Sequence, residues 1–151
     1  MAPVKQFKNE KGEIFASIYA DERQGILLDA WRGDFGSEHN LTGVLGYTFA
    51  QLKTKHLTYW LSDVSQMEGA LEQGADAAFK MFELLLDSSD LEKFAFVTLR
   101  PNNPARQKLT HILAEHGIAV KTFDSYPHAV EWLLVPRLSS RHWEQAEVLT
   151  F

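Results

Sequence analysis

The chain has 151 residues, 45% of them hydrophobic and 12% aromatic, a length that suits one domain whose core needs no covalent staples. The lack of cysteine excludes disulfides, thiolate metal sites and cysteine nucleophiles, and fits a reducing cytosol. Twenty acidic against fifteen basic residues give a formal charge of −5, which argues against a general nucleic-acid binder.

Residues 1–12 are polar and are expected to be loose. No apolar run of about 7–15 residues marks them as a secretory signal, and no stretch approaches the roughly 18–20 apolar residues of a membrane span. A cytoplasmic protein is the expectation. Residues 14–20 and 26–32 are rich in branched and aromatic side chains and predict two strands. Between them a polar turn closes on Gly25, so the pair should form an antiparallel hairpin at one edge of a sheet.

After Gly33 and Gly36, Ser37 or Asn40 can cap a helix whose buried stripe is Leu41, Val44, Leu45, Thr48, Phe49 and Leu52. Gly43 and Gly46 weaken that helix, and a bulky neighbour close to the backbone would explain them. Residues 57–61 predict a central strand buried on both faces, ended by a polar turn at 62–66. Ala78, Met81, Phe82 and Leu85 mark a second helix, and residues 94–99 the next strand, stopped by the prolines at 101 and 104. Ala105, Leu109, Ile112 and Leu113 predict a helix ending at Gly117. Residues 118–123 form a last strand, after which Asp124 or Ser125 caps a helix holding Ala129, Trp132 and Leu133.

Strands alternating with crossover helices imply parallel pairing. The expected fold is α/β: a five-stranded, mostly parallel sheet with an N-terminal antiparallel hairpin and about four helices. Residues 1–136 form the domain, and 137–151 a tail whose Trp143, Val148, Leu149 and Phe151 anchor it on that domain or on a second copy.

Four stretches carry a family resemblance: Trp31-Arg32-Gly33, Trp60-Leu61-Ser62-Asp63-Val64-Ser65, Phe94-Ala95-Phe96-Val97, and Val120-Lys121-Thr122-Phe123-Asp124 with Ala129-Val130-Glu131-Trp132-Leu133. In this order, over roughly residues 14–134, the chain resembles the STAS/SpoIIAA-like superfamily, and in particular small bacterial single-domain members of unassigned role. The resemblance implies a βα superhelix, shared with anti-sigma-factor antagonists and more remotely with CRAL-TRIO lipid carriers. It also implies partner switching by phosphorylation of a serine at the start of the helix after the central strand. This chain has Gln66-Met67-Glu68-Gly69-Ala70 there, with no hydroxyl. Ser62 and Ser65 are the nearest substitutes, Ser65 being the phosphorylation candidate, and the departure stands against inherited phosphoregulation.

Catalytic patterns are missing. His111 and His116 lie about 140° apart around a helix, so they cannot converge on one metal ion. No nucleophile elbow and no phosphate loop occurs. Neither a metal nor a cofactor is expected. Ligands of open parallel sheets bind beyond the carboxyl ends of the strands, which here points to loops 62–66, 100–104 and 124–127. The candidate partner- or anion-binding residues are Ser62, Asp63, Ser65, Arg100, Asn102, Asn103 and Asp124. The expected function is a non-enzymatic binding or regulatory module that recognises a protein partner, alone or as a homodimer. The alternative is a carrier of a small apolar or lipid-like ligand, which a pocket lined by Trp60, Phe82 or Phe96 would favour.

Overall fold

The computed structural model describes residues 2–68, 74–100 and 103–135. The strands are β1 (Lys5–Lys8), β2 (Ile14–Asp21), β3 (Ile26–Gly33), β4 (Tyr59–Met67), β5 (Lys93–Val97) and β6 (Ala119–Phe123). The helices are α1 (Glu38–Thr54), α2 (Ala75–Leu85) with a 3-10 turn at Leu86–Ser88, α3 (Pro104–Glu115) and α4 (Tyr126–Leu134).

The six strands lie in one mixed sheet in chain order. β1–β2 and β2–β3 pair antiparallel; β3–β4, β4–β5 and β5–β6 pair parallel, as the alternation of strands and helices predicts. The expected count of five strands was one short. Lys5–Lys8, which polarity marks as loose, forms the sixth by pairing with Phe7 opposite Ala16 and Lys5 opposite Ile18. An edge strand tolerates that polarity because one of its sides faces solvent.

Local chemistry sets the boundaries. The β2–β3 turn closes as Asp21 Oδ1 accepts from Gln24 N (3.3 Å), and Gly25 supplies the φ of +71° that the return needs. Ser37 caps α1 by accepting from Asn40 N (3.2 Å), and Asn103 caps α3 by accepting from Arg106 N (3.1 Å). The explanation offered for the glycines inside α1 does not hold for Gly43, where no atom lies within 4 Å of an added Cβ; at Gly46 the nearest, Met81 Cε, is an ordinary 3.7 Å away.

Side chains alternate across each strand, and the two faces of the sheet are covered differently. On one face Leu27, Trp31, Trp60, Phe94 and Phe96 pack under the apolar stripes of α1, α2 and α3. On the other, Leu61, Ala95 and Val97 pack against Ala129 and Leu133 of α4. Lys93 fixes the end of α4: its ammonium donates to the carbonyls of Trp132 (3.1 Å) and Val135 (2.8 Å), groups that a helix C-terminus otherwise leaves unpaired.

One expected turn is part of a strand. Residues 62–66 continue β4 beside β3, because the pairing advances by three residues on β4 (Asp63 to Gln66) for two on β3 (Ala30 to Arg32). This is a β-bulge, which absorbs polar residues without ending the strand. The tail at 137–151 lies outside the described residues.

Candidate functional site

Parallel pairing of β3 to β6 brings their carboxyl ends to one edge. β5 and β6 leave the sheet together, held by Thr98 N donating to Phe123 O (2.9 Å). Leu99 and Arg100 follow β5, and Asp124 and Tyr126 follow β6, from these adjacent strand ends. Leu99 is 69% exposed and Tyr126 44%, two of five large hydrophobic side chains left open to solvent among the described residues. Arg100 and Asp124 are exposed as well.

The other expected site residues fare differently. The Asn103 side-chain oxygen is committed to the α3 cap, and Asn102 lies outside the described residues. Arg106, which sequence reasoning passed over, is buried in the first turn of α3, and its guanidinium donates to the Arg100 carbonyl. It thereby fixes the backbone that presents the Arg100 side chain. At the β4 bulge, Asp63 Oδ1 accepts from Ser65 N (3.0 Å) and Ser65 Oγ (2.6 Å). Ser62 was expected at the rim and is instead buried on the face under α1, α2 and α3, because strand alternation turns it inward.

There Ser62 meets Asp29, 1% exposed, which the sequence reading did not single out. Asp29 Oδ1 accepts from Ser62 Oγ (2.6 Å) and Trp31 Nε1 (2.7 Å), and Oδ2 accepts from Trp60 Nε1 (2.5 Å). Burial pushes its carboxyl up from 3.8 to about 6; the hydrogen bonds from Ser62, Trp60 and Trp31 pull the other way, and the charge of Asp63 adds a smaller upward push. A signal was present: Leu27, Asp29 and Trp31 share one face by period two, so a carboxylate sits between two core residues.

Beside Asp29 lies a cavity of about 50 Å³ whose walls include Trp31, Trp60, Phe82, Phe94 and Phe96. Trp60 stacks on Phe82 (5.4 Å between ring centres, 14° between planes) and approaches Phe94 at 4.7 Å. The cavity has the lining expected of a ligand carrier, at far below the roughly 300–1,000 Å³ of drug-sized sites.

The histidines gave one surprise. His116 bridges two carboxylates, Asp87 (2.7 Å) and Glu83 (3.2 Å), and these hold its pKa above the usual value. The two acids bind opposite ring nitrogens, so they clamp an imidazolium, and no group suited to a metal ion occurs among the described residues.

Nor is any helix there long and apolar enough to cross a membrane. In comparisons with protein-family models, curated proteins and solved structures, nothing matches this chain.

Proposed function

We propose that the protein is a non-enzymatic binding or regulatory module of STAS/SpoIIAA type, cytoplasmic and bacterial, that recognises a protein partner through the carboxyl-end rim of its sheet. Four consecutive strand–helix units, β3–α1 to β6–α4, laid down in chain order, agree with the βα superhelix that the resemblance implies. The observation that carries the reading is that Leu99 with Arg100, and Asp124 with Tyr126, are all exposed and follow the adjacent carboxyl ends of β5 and β6. Aromatic and arginine side chains dominate protein-interface energetics, and a buried arginine already holds the local backbone in place for binding.

Ser65 is a poor phosphoswitch in this setting, since its hydroxyl already donates to Asp63 and a phosphate would face that carboxylate. The alternative, carriage of a small apolar or lipid-like ligand, draws on the aromatic cavity, whose volume suits a few heavy atoms and not a lipid tail.

A photo-crosslinking residue at position 126 tests the rim in the living host, with position 84 as control. Leu84 is 78% exposed but lies near the end of α2, which leads to the start of β5 and so away from the carboxyl ends of the strands. One discrete protein adduct is expected from position 126, lost on Leu99→Asp or Arg100→Ala. An adduct of twice the chain mass would identify the partner as a second copy. Equal labelling from position 84, or none from 126, refutes the proposal.

A further inference from the structure

We propose that the cavity beside Asp29 is a binding site for a short alkylammonium ion, with the carboxylate as counter-ion and the surrounding rings as its walls. The inference is independent of the rim. A carboxylate has about four acceptor positions. Asp29 uses two on Oδ1 and one on Oδ2, leaving one on Oδ2 without a partner among the described residues. All three donors are dipoles, so no positive charge among its hydrogen-bond partners offsets the ionised form. Buried charge without a counter-ion is costly, and a cation entering the cavity relieves that cost.

The walls fit the same ligand. Trp31, Trp60, Phe82, Phe94 and Phe96 present five aromatic rings around the space, and ring faces attract organic cations, most strongly where water is excluded. Ser62 contributes a hydroxyl already turned to Asp29. Size sets the class: about 50 Å³ exceeds the roughly 10–15 Å³ that one water needs and falls short of the roughly 150 Å³ of an apolar cavity that takes benzene. A two-carbon ammonium is of that order.

Binding should follow the ionisation of Asp29. The other elements packed against the cavity present only apolar side chains to it: Leu41 and Leu45 from α1, Ala78 and Phe82 from α2, Leu109 from α3, Phe94 and Phe96 from β5. Asp63 on β4 is the charge that acts on Asp29 across the sheet. Protonation below about pH 6 removes the counter-ion.

The test is a titration of the whole chain with ethylammonium chloride, followed by nuclear magnetic resonance at the indole N–H groups of Trp31 and Trp60, with ethanol and sodium chloride as controls. Saturable shifts of both indole signals are expected with ethylammonium alone. The affinity should drop roughly tenfold per pH unit well below pH 6, following the protonated fraction. Asp29→Asn should weaken binding at least tenfold. Ala78→Leu, which fills the cavity and leaves Asp29 in place, should do the same with a native-like spectrum, and it decides the matter if the asparagine variant does not fold. Shifts that grow linearly without saturating, equal binding of ethanol, or an affinity unchanged by low pH or by Ala78→Leu would overturn the site.

Discussion

Asp29 and Asp63 occupy neighbouring strands one register position apart, Asp29 opposite Ser62 and Ala30 opposite Asp63, and they face opposite sides of the sheet. Asp63 is half-buried and is satisfied within its own strand by Ser65, across a bulge. Asp29 points under three helices and takes its donors from a wider neighbourhood, two of them from β4. The same side chain is thus a local turn device on one face and a joint between strands on the other. A carboxylate that draws on a neighbouring strand ties its fate to the fold; one served by its own bulge does not.

The sharpest way to break this comparison is Asp29→Ala. It strands two indole N–H groups and a hydroxyl in an apolar interior, each costing about 1–3 kcal/mol when left unpaired. Part of that loss is returned by removing a buried charge. A net destabilisation of about 3–5 kcal/mol is expected in urea unfolding at pH 7, the cost of three unpaired donors less the relief of the buried charge.

The next effect is one of pH. The Asp29 carboxyl holds its proton more tightly in the folded state, at about 6 against 3.8 unfolded. Between those values the folded chain binds more protons than the unfolded one, so this group makes stability fall as pH rises from about 4 to about 6, and its contribution is level above that. The whole shift is worth about 3 kcal/mol, at roughly 1.36 kcal/mol per pKa unit, most of it lost between pH 4 and pH 7. Urea unfolding at pH 4 and pH 7 measures it, with Asp29→Asn as the reference that lacks the slope. His116 titrates in the opposite sense. Its folded pKa is raised by Asp87 and Glu83, so its contribution is present in acid and lost as pH rises through that value. Subtracting the Asp29→Asn profile keeps the two apart.

Why was the sheet so much more legible than either site? Strand and helix stripes such as Leu41, Val44, Leu45 and Leu52 announce themselves by period, and connections between parallel strands have few solutions. The parallel order and the gathering of Arg100 and Asp124 at one edge followed from that. Three features did not. β1 was missed because edge pairing asks little of a sequence. Ser62 was placed at the rim because composition suggests a turn from residue 62, whereas β4 runs on in regular register through Ser62 and alternation turns that side chain inward. For Asp29, period two shows that the carboxylate faces inward, but its partners Trp60 and Ser62 are more than thirty residues away and no local pattern names them.

Ser65→Ala sharpens the comparison from the other side. It removes one hydroxyl bond to Asp63 while the Ser65 amide stays in place, so a loss of about 1 kcal/mol is expected. Ser65→Glu should cost somewhat more by setting two carboxylates together. A loss as large as that of Asp29→Ala would mean that the bulge, too, is a joint between strands.

The smallest effect on stability belongs to the rim, and its smallness is what gives the variant its use. Leu99 is 69% exposed and follows the end of β5, so Leu99→Asp forfeits little burial and should shift stability by no more than about 0.5 kcal/mol. Thermal unfolding checks that figure directly. If it holds, any loss of crosslinking at position 126 in this variant reports on the contact surface itself and not on a loosened sheet. A larger loss would show that Leu99 packs against its own chain, and the rim would then lack the free apolar anchor on which partner recognition through it depends.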